Sequence, residues 1–174
     1  MEIIGQILGI LGSAAAIISF QMKENKKFFI FQGLMCTFFV LSYLFLGELS
    51  GCFMEFFCIV RALVFSLGKR SRKWWVLALI QGAFTVVSIL TFSGWISVVL
   101  WVVHIVGTFA MWSDNGRAIR ITQLFCVSPG WLIFNIYVFS IGGIICEVMN
   151  ISSTIVSFIR FGVDGFTPTD KASK

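Results

Sequence analysis

The sequence is poor in charge. Only 12% of its 174 residues are Asp, Glu, Lys or Arg, about half the roughly 25% of an ordinary soluble domain. With 58% of residues hydrophobic, there is too little polar surface to cover a water-soluble globule. A β-barrel is excluded too, because its segments of about 10 residues alternate apolar and polar. Runs such as Ile3 to Ile18 or Trp74 to Leu90 do not alternate. Nor does the chain carry a nucleophile with a paired base, a metal-ligand cluster or a phosphate-binding loop, which argues against an enzyme and leaves no cofactor to expect. Its five cysteines (Cys36, Cys52, Cys58, Cys126, Cys146) lie inside apolar runs. With no CxxC pair and no His at metal spacing they read as small apolar fillers, with no metal site. Cys52 and Cys146 fall toward the same face, so a disulfide between them is the other reading. The basic region that opens a cleaved signal peptide is missing, since only Met1 and Glu2 precede the first apolar run. That run is expected to be retained as a helix.

What the chain does have is apolar runs of about 16 to 21 residues, enough to cross roughly 30 Å of hydrocarbon. The expected spans are 3–22, 28–46, 51–68, 74–92, 95–112, 121–139 and 141–161, giving an all-α membrane protein of seven transmembrane helices. The connections are too short to hold a soluble domain. Residues 163–174 turn polar and are expected to form a mobile cytoplasmic tail. Seven spans put Lys23, Lys26, Lys27, Lys69, Arg70, Arg72, Lys73, Arg117, Arg120, Arg160, Lys171 and Lys174 on one side and no Lys or Arg on the other. Basic loops stay cytoplasmic, so the N-terminus is expected outside and the C-terminus in the cytoplasm. Trp74, Trp75 and Trp112 would anchor one interface, and Tyr43, Trp95 and Tyr137 the other. The net charge of +5 sits in short clusters beside spans, which suits topology signals and lipid headgroups rather than nucleic acid.

An internal repeat is visible. Glu24 and Asn25 precede Asp114 and Asn115 by 90 residues, Cys36 precedes Cys126 by 90, and Gly51 with Glu55 precedes Gly143 with Glu147 by 92. These offsets suggest two parallel three-helix units, 1–68 and 94–162, joined by a linker helix within 69–93. The stretch holding Trp131, Asn135, Tyr137, Ser140, Gly142 and Gly143, followed by Glu147, Asn150 and Arg160, resembles the YgjV-type bacterial inner-membrane proteins. That family is similar in layout to the SWEET, SemiSWEET and PQ-loop transporters. The resemblance implies a two-bundle (3+1+3) transporter fold with a central solute path. The chain departs from those relatives in lacking a proline before Gln21, and Cys58 stands where the repeat would place a partner for Asn150.

Ionisable and amide side chains within spans are expensive in lipid, and so are candidates for function. Arg61, His104 and Asn150 fall near the midplane of the third, fifth and seventh spans. Arg61 offers a fork of donors, Asn150 a donor and an acceptor, and His104 either of these or a proton. Against that, Arg61 can snorkel to headgroups, and His104 or Asn150 can serve as interhelical glue. Glu55 and Glu147 lie nearer the outer face, lining a vestibule or reaching interface water. Asn135 joins these candidates. Glu55 and Arg61 are six residues apart, roughly 240° around a helix, so neither can pair with the other along it. Gly5, Gly9 and Ser13 form a small-residue stripe for close helix approach. Pro129 interrupts the sixth span and is a candidate hinge. Trp101 and Trp131 either line the path or pack the core.

Two functions fit: a small-solute transporter or facilitator, and an accessory or signalling membrane protein. Transport requires Arg61, His104 and Asn150 to converge on one space, whereas an interaction protein can point them at separate neighbours. Two complete units can enclose a path unaided, and a homodimer is equally compatible. Reporter tags at the two termini should lie in opposite compartments. A shared compartment would overturn the odd number of crossings.

Overall fold

The structure, a computed structural model, describes residues 2–162 and 165–168. Those residues are helical almost throughout: α1 (Glu2–Phe20), α2 (Asn25–Leu46), α3 (Leu49–Ser66), α4 (Trp74–Leu90), α5 (Trp95–Trp112), α6 (Gly116–Thr122), α7 (Ser128–Tyr137) and α8 (Ile141–Phe161). A π-helical turn, Gln123–Val127, joins α6 to α7 in one rod, so the helices make seven rods. Six rods are long and apolar enough to cross a membrane. The exception is α4, whose 17 residues reach about 25 Å at 1.5 Å per residue.

Two rods start several residues earlier than hydropathy alone suggests. Helix α2 takes in Asn25, Lys26 and Lys27, and the sixth rod begins at Gly116 rather than near 121. The reason at Gly116 is local: Asn115 Oδ1 accepts from the N–H groups of Arg117 (3.0 Å) and Ala118 (3.3 Å), capping helix ends that apolarity does not mark. Gly47, at φ +79°, closes α2 in the left-handed conformation and turns the chain into α3.

Helix α1 packs against α2 and α8, α2 against α3, α3 against α4 and more thinly against α5, α5 against the α6–α7 rod, and α7 against α8. Six rods therefore close a ring, and α4 lies outside it across the gap between α3 and α5. Leu79, Val86, Ile89, Phe109, Ile133, Val148 and many other large apolar side chains face outward, as a lipid-facing surface requires.

Close backbone approach holds α1 to its neighbours. Ser42 Oγ donates to Gly5 O at 2.7 Å, and Ser13 Oγ reaches both Gly9 O (2.9 Å) and Gly142 O (3.2 Å). A Cβ on Gly142 would sit 2.8 Å from the Gly9 Cα. The small-residue stripe on α1 thus seats α8 and α2 at once.

At the basic end, the segments after α1, α3, α5 and α8 meet. Asn25 Nδ2 donates to Asp114 O (2.8 Å) and Oδ1 (3.0 Å), while Arg72 pairs with Asp114 at 3.1 Å and donates to Met111 O at 2.7 Å. Arg120, expected as a loop charge, is fully buried. It donates to Met22 O at 2.8 Å and lies 3.7 Å from the Phe166 ring. Most of the expected mobile tail lies outside the described residues. For 165–168 the expectation fails: Phe166 packs on Phe158 and Phe161, and Thr167 exchanges backbone hydrogen bonds of 3.0 Å with Lys23 and Asn25. The apolar Phe166 ring, which the polar composition of the tail hides, provides that anchor.

The Tyr43 assignment is corrected as well. Trp95 and Tyr137 are exposed and pair edge to face at 6.3 Å, but Tyr43 is buried inside the ring. All five thiols are free, so Cys52 and Cys146 are not joined.

Replacing Gly142 with Leu should cost about 1–3 kcal/mol through overpacking, read as a lowered melting temperature in detergent. The same change at lipid-facing Gly82, where a Cβ meets nothing within 4 Å, should be nearly silent.

Candidate functional site

The ring encloses a small chamber lined by α2, α3, α5, the α6–α7 rod and α8. Glu55, Arg61, His104, Glu147 and Asn150 all line it, with Gln32, Cys36, Cys58, Gln123 and Trp131. Its open volume is ≈ 30 Å³, room for one or two waters. Toward the Tyr43 end a second space of ≈ 10 Å³ shares Met35, Glu55, Trp131 and Glu147 and adds Asn135. All six expected binding residues therefore border two adjoining spaces.

Arg61 does not snorkel. Its side chain turns inward, 7% exposed, donating to Thr108 Oγ1 at 3.0 Å and Cys58 Sγ at 3.4 Å, with its guanidinium 5.3 Å from the Phe84 ring. The nearest partners thus come from α5, from its own helix and from α4. Among the described residues no carboxylate forms an ion pair with it, and Arg61 Nε has no hydrogen-bond partner. His104 stacks on Phe84 at 4.4 Å and meets Trp131 edge-on at 5.5 Å, which fixes its ring plane. Its Nδ1 lies 3.7 Å from Cys58 Sγ. Asn150 donates to Glu147 Oε2 at 3.2 Å. Glu55 Oε2, His104 Nε2 and Asn150 Oδ1 are buried with no protein hydrogen-bond partner. Four buried polar atoms without partners, all on side chains that line one enclosed space, are costly in a low-dielectric interior unless a guest or water meets them.

The second space is closed by a buried bond. Tyr43 Oη donates to Asn135 Oδ1 at 2.6 Å, and the Tyr43 ring stacks on Trp131 at 6.1 Å. Gly143 makes this possible, because a Cβ there would fall 2.0 Å from Asn135 Oδ1.

Residues 3–164 match the Imp-YgjV family, described as a bacterial inner membrane protein. The chain belongs to that family. It is accordingly an integral membrane protein of a bacterial inner-membrane family, in contact with lipid. No curated protein and no solved structure matches it.

In this Imp-YgjV chain Pro129 occupies the first turn of α7, directly after the π-helical turn, and the rod passes through without a break. Proline lacks the N–H that would bond the carbonyl four residues earlier, and widening to a π turn accommodates that loss. Gln123 Nε2 donates to Ser128 Oγ at 2.9 Å across the same turn. Trp101 faces α4, donating to Thr85 Oγ1 at 3.0 Å, and is a packing residue, whereas Trp131 lines the chamber.

Gln32, Cys36 and Tyr43 were not singled out as site residues by sequence. They form, with Phe39, a stripe spaced four, three and four on α2, which marks one helical face. The periodicity is legible, but not that the face looks into a chamber rather than a packed core.

A double-mutant cycle of Tyr43→Phe and Asn135→Ala should show coupling of about 1 kcal/mol in unfolding free energy. Strictly additive costs would mean that the bond contributes nothing.

Proposed function

We propose that this protein is a small-solute transporter or facilitator rather than an enzyme, working through the central chamber. The observation that carries the reading is the convergence of Arg61, His104, Asn150, Glu55 and Glu147 from three helices on one enclosed space. An accessory protein has no need to turn these groups, at the cost of burying them, toward a common point.

The proposed arrangement is two three-helix units, α1–α3 and α5–α8 with α6–α7 counted as one rod, and α4 as linker. The repeat offsets support it, since Glu55 and Glu147 face the same chamber and Asn25 contacts Asp114. So does the Tyr43–Asn135 bond, whose partners are 92 residues apart, the offset of the Glu55 and Glu147 pair. The units meet at α1 against α8 and, more thinly, at α3 against α5. Rocking one unit against the other would expose the chamber alternately, with the Tyr43–Asn135 bond as the barrier at one end. Pro129 and its π turn give the sixth rod a place to bend. The N-terminus lies outside and the C-terminus in the cytoplasm, because the joined basic segments belong on the cytoplasmic face. The chamber then represents an occluded state, and a solute larger than two waters enters only on opening.

A thermal-stability screen of purified protein against sugars, nucleosides, vitamins and organic acids should find a class that raises the melting temperature. Ligand at 100 times its Kd adds about 2.7 kcal/mol. Arg61→Ala should abolish that shift and the matching uptake into proteoliposomes. A flat screen together with an Arg61→Ala strain indistinguishable from the parent would remove the case for transport.

A further inference from the structure

Two cysteines and a glutamate from different helices meet in the chamber wall. Cys36 Sγ on α2 and Cys58 Sγ with a Glu55 carboxylate oxygen on α3 lie within 4.8 Å of one another, all buried. We propose that these three side chains form a binding site for a thiophilic divalent cation of the zinc class, with the fourth coordination position open to the chamber beside His104.

The chemistry of the donors supports this choice. Tetrahedral zinc with Zn–S bonds of about 2.3 Å and Zn–O bonds of about 2.0–2.2 Å sets its ligand atoms about 3.5–3.8 Å apart. The present spacing needs a contraction of at most about 1.3 Å, within reach of small χ adjustments on two adjacent helices. Thiolates select borderline or soft ions over Mg²⁺ and Ca²⁺, which prefer all-oxygen shells. Cys36 and Cys58 are both 3% exposed, so water competes little for the ion.

One further observation points to a ligand at this place: Glu55 Oε2 is buried without a hydrogen-bond partner. His104 Nδ1 lies 3.7 Å from Cys58 Sγ, a hydrogen-bonding contact beside the open position. The charges are complementary as well. Binding displaces to solvent the protons that the two thiols and the carboxyl group carry, leaving two thiolates and a carboxylate. A divalent ion and the guanidinium of Arg61, 3.4 Å from Cys58 Sγ, neutralise those three negative charges. Glu147, whose carboxylate accepts from Asn150, is the nearest further carboxylate in the chamber.

The inference takes the chamber as a binding site, as above, but does not require transport. Reduced, detergent-purified full-length protein is titrated with Co²⁺ and then with Zn²⁺. The expected result is one Co²⁺ per chain with the near-ultraviolet sulfur-to-cobalt charge-transfer band of thiolate ligation, erased stoichiometrically by Zn²⁺. Loss of outer-shell partners alone typically costs 10–100-fold in metal affinity, so Cys36→Ser and Cys58→Ser should each weaken binding by about 100-fold or more. Cys126→Ser, outside the chamber wall, should leave it unchanged. Because a chamber variant can fail to fold, Zn²⁺ should also shield Cys36 and Cys58 of the unaltered protein from alkylation, read by mass spectrometry. No charge-transfer band, a band that survives the double Cys36→Ser, Cys58→Ser change, or alkylation indifferent to Zn²⁺ would each overturn the site. Zn²⁺ binding without any flux in proteoliposomes supports the site and counts against transport. Flux of another solute by a protein that binds no Zn²⁺ sinks the site and keeps the transporter.

Discussion

Inside a bilayer no water is at hand to satisfy a polar side chain, and apolar surface gains nothing by hiding from lipid that is equally apolar. Helices in that medium are held by close packing and by polar groups that find each other. In this chain both forces act along the inner wall of one ring. Gly5, Gly9 and Gly142 let backbones touch, and the serines beside them donate to carbonyls across the contact. Deeper in, Arg61, Glu55, Glu147, His104 and Asn150 turn away from lipid and share a chamber that the protein alone does not saturate with hydrogen bonds.

The ring is not evenly sealed. The α1 and α8 backbones meet at glycines, whereas α3 and α5 approach thinly and α4 covers the gap, adding Phe84 behind Arg61 and His104. That difference makes α4 a backing for the chamber's Arg61 and His104 although it lies outside the ring. Along the sixth rod the π turn before Pro129 and Asn135, which accepts from Tyr43, lie on opposite sides of Trp131, whose ring stacks on Tyr43. The basic end is built differently: Asp114, Arg72, Asn25 and Arg120 cross-link four segments through backbone carbonyls and one ion pair. A clasp of this kind ties the ends of the rods together.

The class of molecule and the candidate residues were legible because the rules behind them are one-dimensional. Length of apolar run sets the crossing, and the cost of a polar group in lipid singles out Arg61, His104, Asn150 and the two glutamates wherever they stand along a span. Helix starts at Asn25 and Gly116 were less legible, since capping by a side chain such as Asn115 shifts a boundary without altering hydropathy.

Composition, run length and the spacing of intramembrane polar residues by themselves determined an all-helical membrane protein with a set of polar side chains within its spans. Only tertiary structure decided that Arg61 turns inward to Thr108 instead of reaching headgroups, that Tyr43 is a buried donor and not an interface anchor, and that Cys36 from α2 comes within 4.8 Å of Cys58 and Glu55. The reason is rotational: a sequence fixes the angle between side chains on one helix, but which way that helix faces is set by every neighbour it packs against.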